Sequence, residues 1–166
     1  QPYSGPGSVY FNPGMNMLLK LGASDLFDDF KLLGGIRIPT SLNSGGEFLL
    51  MAEHLKDRLD HRLLFYRQKV VNTQGLYKWL THDVRYRLSF PISEILALRT
   101  TVNLRKDKQI FIPYSDNSLM LDNQVGYNSG LKTELVLDNT IPMELNIRRG
   151  FRGKIFAEYL QELGGL

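Results

Sequence analysis

Strict alternation of apolar and polar residues is the feature that most constrains the fold of this chain. From Asp83 to Phe90 the even positions are apolar and the odd positions are polar, and from Leu96 to Leu104 the even positions remain largely apolar. Successive side chains of a β-strand point to opposite faces, so a period of two predicts strands with one apolar face and one polar face.

Four short turns, each charged or containing proline, separate the patterned segments. They are residues 24–29, 56–60, 91–94 and 138–142. The other connections, at residues 40–46, 72–81 and 113–123, are longer and rich in Gly, Asn, Ser and Tyr. Short turns at one end of a sheet and long loops at the other are typical of an up-and-down outer-membrane β-barrel.

The sequence therefore predicts an all-β fold, an antiparallel up-and-down meander that forms all or part of an outer-membrane β-barrel. Residues 1–14 are expected to be an irregular N-terminal lead-in or linker, and residues 15–166 a barrel segment of about eight strands, either complete or part of a larger barrel. The predicted strands are residues 15–23, 30–39, 47–55, 61–71, 82–90, 95–112, 124–138 and 143–159.

In such a barrel the polar side chains face the lumen, and aromatic side chains collect at the two membrane interfaces. The side chains predicted to face the lumen are Arg85, Arg87, Arg99, Asn103, Arg105, Lys132, Glu134, Arg148, Arg152 and Lys154. The predicted interfacial aromatic residues are Tyr77, Trp79, Phe90, Tyr114, Tyr127, Phe151 and Tyr159. For the lumen charges we favour cross-strand ion pairing over the lining of a water-filled passage.

Composition excludes several other classes of protein. The 166 residues include no cysteine, which rules out a disulfide framework and a thiolate metal site. No apolar run reaches the ~18 residues of a transmembrane helix. The 20 basic residues are scattered among 17 acidic ones, so no nucleic-acid partner is predicted.

Residues with catalytic or metal-binding chemistry are scarce. His54, His61 and His82 lack the spacing of a metal site, so neither a metal nor another cofactor is expected. The segment Asn128-Ser129-Gly130 resembles the serine end of the site in outer-membrane phospholipases, but Tyr127 stands where the histidine is expected. A serine without a base is a weak nucleophile, so we predict that the protein is not an enzyme.

Six segments, in order along the chain, resemble the C-terminal outer-membrane β-barrel region of large exported Bacteroidetes proteins of the TolB-like type, in which a propeller precedes the barrel. These segments are residues 16–30, 34–39, 53–60, 90–99, 135–140 and 151–159. The resemblance implies an outer-membrane location, a barrel of more than eight strands and a periplasmic β-propeller before it. On this interpretation the chain is one piece of a larger protein.

The function expected from these observations is that of a non-enzymatic barrel module, an anchor, scaffold or channel in a bacterial cell-envelope assembly. Its expected partners are the lipid bilayer and either other envelope proteins or the remainder of its own chain. Transport or translocation of a solute or polypeptide stays open. Two alternatives are a soluble all-β extracytoplasmic module that binds glycan or protein and, third, a barrel lipid hydrolase.

Overall fold

The chain folds into strands throughout the part described by the computed structural model, which covers residues 16–39, 45–71, 77–112, 122–144 and 147–165. Within these ranges there is no helix, and hence none long and apolar enough to span a membrane. The all-β prediction is therefore confirmed. The strands are β1 (Asn16–Ser24), β2 (Phe30–Pro39), β3 (Glu47–His54), β4 (Asp60–Val71), β5 (Tyr77–Pro91), β6 (Leu96–Phe111), β7 (Gln124–Asp138), β8 (Ile141–Glu144), β9 (Ile147–Arg149) and β10 (Arg152–Gly165).

Eight of these strands form one antiparallel meander in the order β1-β2-β3-β4-β5-β6-β7-β10. Each strand pairs with its neighbour along the chain, apart from a two-stranded hairpin, β8 and β9, that lies between β7 and β10. The predicted up-and-down topology is confirmed. The predicted lead-in at residues 1–14 lies outside the described residues.

Strand β5 begins earlier than the sequence pattern predicts. Its first residues, Tyr77 to Thr81, pair with Phe111 to Asp107 of β6. The expected loop at residues 72–81 is therefore wrong, and the connection from β4 comprises residues 72–76, which lie outside the described residues. The pattern missed this segment because Lys78 lies on the same face as Leu80 and obscures the alternation.

The last predicted strand, residues 143–159, is also wrong in its bounds. The chain first forms the β8–β9 hairpin and returns to the main sheet only at Arg152, which pairs with Asp138. Gly150 makes this reversal possible, because its φ is 129° and a Cβ there would overlap the Asn139 carbonyl. The Asn139 amide donates to the Phe151 carbonyl at 2.9 Å and closes the reversal.

The sheet is open and forms a single layer in the part of the chain that the structure describes. Strand β1 pairs with β2 alone, and β10 pairs with β7 alone. Strands make extensive contacts only with their partners in the same sheet, so no described element packs across either face. Accordingly, the buried apolar core of the described residues consists of Leu64 and Val136.

Candidate functional site: two opposed faces of one sheet

The strand register places most of the charges of the main sheet on one face. Residues directly opposite each other in antiparallel strands share a face, as in the row Glu53, Arg62, Arg87, Thr101, Lys132. We call this the charged face. Its acidic members are Glu47, Glu53, Asp60, Asp83, Asp107, Glu134, Asp138, Glu158 and Glu162.

Nine of the ten side chains predicted to face a lumen lie together on the charged face. They are Arg85, Arg87, Arg99, Asn103, Arg105, Lys132, Glu134, Arg152 and Lys154. Arg148 belongs to β9 instead, and its side chain lies outside the described residues. Because the sheet is open, a lumen bounded by this face stays a prediction.

Ion pairs run across and along the strands of the charged face. Three of them join strand neighbours in register: Arg37 with Glu47 at 3.3 Å, Arg62 with Glu53 at 2.5 Å and Arg152 with Asp138 at 3.2 Å. Others join residues two apart on one strand, such as Arg105 and Asp107 at 2.7 Å and Lys132 and Glu134 at 3.2 Å. The face therefore neutralises much of its own charge.

Two arginines of the charged face form no ion pair with a carboxylate of the described residues. Arg87 donates from Nε to Thr101 Oγ1 at 3.2 Å. Arg99 lies opposite Glu134, but the Glu134 carboxylate pairs instead with Lys132 and with Lys154, the latter at 3.5 Å. The charged face therefore carries local positive charge at its centre.

Side chains of the charged face are more buried than those on the opposite face. Asp83 is 3% exposed and Glu134 5%, whereas Leu104 is 52% exposed and Ile155 77%. In a water-soluble sheet the apolar face is the buried one. No second layer of described residues covers the charged face, so we infer that the sheet curves towards this face. Such curvature crowds the side chains of the charged face together and spreads those of the opposite face apart.

The opposite face, which we call the apolar face, presents a continuous surface of large hydrophobic side chains. Its exposed members include Leu19, Leu21, Leu32, Ile36, Leu50, Leu63, Tyr86, Phe90, Leu98, Val102, Leu104, Leu131, Leu135, Ile155 and Tyr159. No acidic residue of the described strands of the main sheet lies on this face. In a soluble sheet the apolar face would be the buried one, whereas here it is the more exposed of the two faces.

The predicted interfacial aromatic residues divide between several locations. Phe90, Tyr127 and Tyr159 lie on the apolar face, and Phe151 is exposed just before β10. Tyr77 and Trp79 instead share the face of Asp83, with ring centroids 6.2 Å apart. Tyr114 lies outside the described residues.

Cations contact two of the aromatic rings on the apolar face. The Arg58 guanidinium carbon lies 4.8 Å from the ring centroid of Phe90, at the end of the short turns. Lys106 Nζ lies 5.2 Å from the ring centroid of Tyr127, near the opposite end. Such contacts hold a cation against an apolar surface.

Reasoning from the sequence missed five cations on the apolar face, which we call the basic band. They are Arg67, Lys69, Lys78, Lys106 and Lys108. Arg67 and Lys69 were visible as charges that follow Leu63 and Phe65 on the same side of one strand. Their grouping with the lysines of β5 and β6 depends on the register between strands, which a single sequence does not show.

The described residues offer no assembled catalytic or metal site. His54, His61 and His82 all lie on the apolar face, where His61 Nδ1 is 2.7 Å from the Tyr86 hydroxyl. No group of three potential metal ligands occurs in the described ranges. Ser129 is opposed by Leu104 and Gln161, so neither strand neighbour supplies the base that a nucleophilic serine needs.

The fold and its two faces define the class of this protein as a single-layer antiparallel meander with segregated charged and apolar surfaces. Comparison with models of protein families, with curated proteins and with solved structures finds no match. The resemblance to the TolB-like barrel region therefore stays a prediction.

Proposed function

We propose that the chain is a non-enzymatic β-barrel module of a bacterial outer membrane, acting as an anchor or scaffold in an envelope assembly. The observation that carries the proposal is the reversed burial of the two faces, with the charged face crowded and the apolar face open. Membrane barrels have this arrangement, because acyl chains solvate the outside and polar groups fill the inside. The resemblance of the sequence supplies the envelope context.

The size of the apolar face supports a lipid environment. Monomeric soluble proteins rarely expose contiguous apolar patches larger than a few hundred Å². Here more than a dozen large hydrophobic side chains adjoin one another on one face. Strand β6 carries this surface from Leu96 to Leu104, which meets the ~9 to 11 residues that a tilted strand needs to cross the hydrocarbon.

The two open edges of the sheet need partners if the sheet lies in a bilayer. Backbone groups left unpaired in hydrocarbon cost several kcal/mol each, so open sheet edges do not occur in a bilayer. The free edges of β1 and β10 therefore pair in the membrane with strands from the remainder of the polypeptide, from a partner protein, or with each other.

The ion pairs favour an anchor or scaffold over a channel. The carboxylates of Glu53, Asp83 and Glu134 are each engaged by a neighbouring cation and are at least nine-tenths buried. A passage for ions or solutes instead presents solvated, accessible charges. We expect no steady conductance when the protein is inserted into planar bilayers.

Vesicle flotation tests the membrane assignment. The full chain, diluted from denaturant into phosphatidylcholine vesicles, is expected to float with the lipid, to resist extraction by carbonate and to show β-sheet circular dichroism. In plain buffer it is expected to aggregate. A chain that is folded and monodisperse in plain buffer, and does not float, would contradict the proposal and favour the soluble binding module.

A further inference from the structure

The basic band occupies one end of the apolar face. In register, Arg67 is opposite His82 and His82 is opposite Lys106, while Lys69 and Lys108 flank Leu80 in the next row. Lys78 lies one row further towards the strand ends, opposite Val71 and Ile110. With strands ~4.8 Å apart and ~3.4 Å of rise per residue, the five cations span a surface of about 10 by 14 Å.

None of the five cations makes an ion pair with a carboxylate of the described residues. The acidic side chains of the main sheet all project from the charged face, so the sheet itself separates them from the basic band. Within the described ranges the band is thus a positive surface whose cations are not paired with carboxylates. This contrasts with the charged face, where most cations have a nearby acid.

The position of the basic band relative to the hydrophobic side chains identifies the kind of partner. The rows beyond it, towards the short turns, begin with Phe65, Val84 and Leu104 and continue as apolar surface. The Lys106 ammonium group lies against the Tyr127 ring, as expected for a lysine at a membrane interface. Cations that border a lipid-facing surface are at the level of the headgroups.

We propose that the basic band binds the phosphate groups of anionic lipids in the leaflet at the end of the sheet opposite the short turns. This inference rests on the proposed membrane location. It gives the module a preference for anionic lipids and an orientation in the membrane. The connections between β2 and β3, β4 and β5, and β6 and β7 then lie on the side of the anionic leaflet. Lysine and arginine near an anionic membrane surface each strengthen binding about fivefold.

Titration with two lipids tests the preference directly. The full chain in phosphatidylcholine nanodiscs is mixed with increasing fractions of phosphatidylglycerol, and the lipids retained on the protein are counted by native mass spectrometry. Inorganic phosphate is added in a parallel series to distinguish bound lipid from free anion. The test variant is Arg67→Gln with Lys106→Gln. The matched control is Lys56→Gln with Arg58→Gln, which removes two cations at the opposite end of the sheet.

We expect the unmodified chain to retain phosphatidylglycerol over phosphatidylcholine, and the test variant to lose about thirtyfold of that preference. The control variant is expected to keep it, and millimolar phosphate not to displace the lipid. Equal retention of the two lipids would overturn the inference, and so would an equal loss of lipid preference in the two variants. The proposed function stands in both cases if the chain inserts into the bilayer. An unmodified chain that is folded and monodisperse in plain buffer, and does not insert into phosphatidylcholine, would overturn both.

Discussion

At the scale of single residues, the buried carboxylates of the charged face hold the neighbouring cations in place. Glu134 is the clearest case, because it is 5% exposed and its Oε1 accepts from both Lys132 and Lys154. We predict that Glu134→Gln lowers the free energy of unfolding by about 1–2 kcal/mol. The cost stays at this level because water screens the two lysines, whose side chains are 31% and 58% exposed.

The matched control for this change is Glu158→Gln on the same face. Glu158 is exposed and has no ion pair among the described residues, so its neutralisation should change the stability by less than about 0.5 kcal/mol. Urea titration followed by the fluorescence of Trp79, the one tryptophan of the chain, measures both variants in the same vesicles. Equal effects of the two substitutions would show that the Glu134 pairs contribute nothing specific.

At the scale of elements, close contact between the backbones fixes where the β2–β3 connection meets β4. The Lys69 amide donates to the Gly46 carbonyl at 2.8 Å, and a Cβ on Gly45 would overlap the Lys69 carbonyl. We predict that Gly45→Ala costs about 1–3 kcal/mol, since the backbone must shift to admit the methyl group. Gly126→Ala, which has nothing within 4 Å of the new Cβ, should be nearly neutral in the same urea titration.

The sequence predicted which side chains of a strand share a face, but not how distant strands group their side chains. Alternation through β5, β6 and β7 assigned Arg85, Asn103 and Lys132 to one face, because a period of two carries that information residue by residue. It failed where backbone geometry decides, as at Gly150, whose positive φ turns the chain out of the β8–β9 hairpin and back to the main sheet. It also failed for the basic band, since grouping Arg67 with Lys106 requires hydrogen bonds between distant parts of the chain.

At the scale of the whole molecule, the depth of a residue in the membrane should determine how much a charged substitution at that residue destabilises the protein. Val102 and Ile110 share one strand and the apolar face, but Val102 lies within the hydrophobic surface and Ile110 lies beside Lys108, at the level of the basic band. We predict that Val102→Lys destabilises the inserted protein by about 2–4 kcal/mol and Ile110→Lys by at most about 1 kcal/mol. Urea unfolding in vesicles measures the difference. Equal, small effects would indicate that water, not lipid, contacts both positions.

In the proposed barrel, acyl chains solvate the apolar face while the charged face lines a protein interior. The chain has no cysteine, so a single nitroxide label can be placed at each position from 97 to 104 of β6. In vesicles, labels at 98, 100, 102 and 104 should collide readily with dissolved oxygen and poorly with a water-soluble nickel reagent. Labels at the odd positions should be less accessible to oxygen. Even-numbered labels that are shielded from both reagents, or open to nickel, would contradict the account.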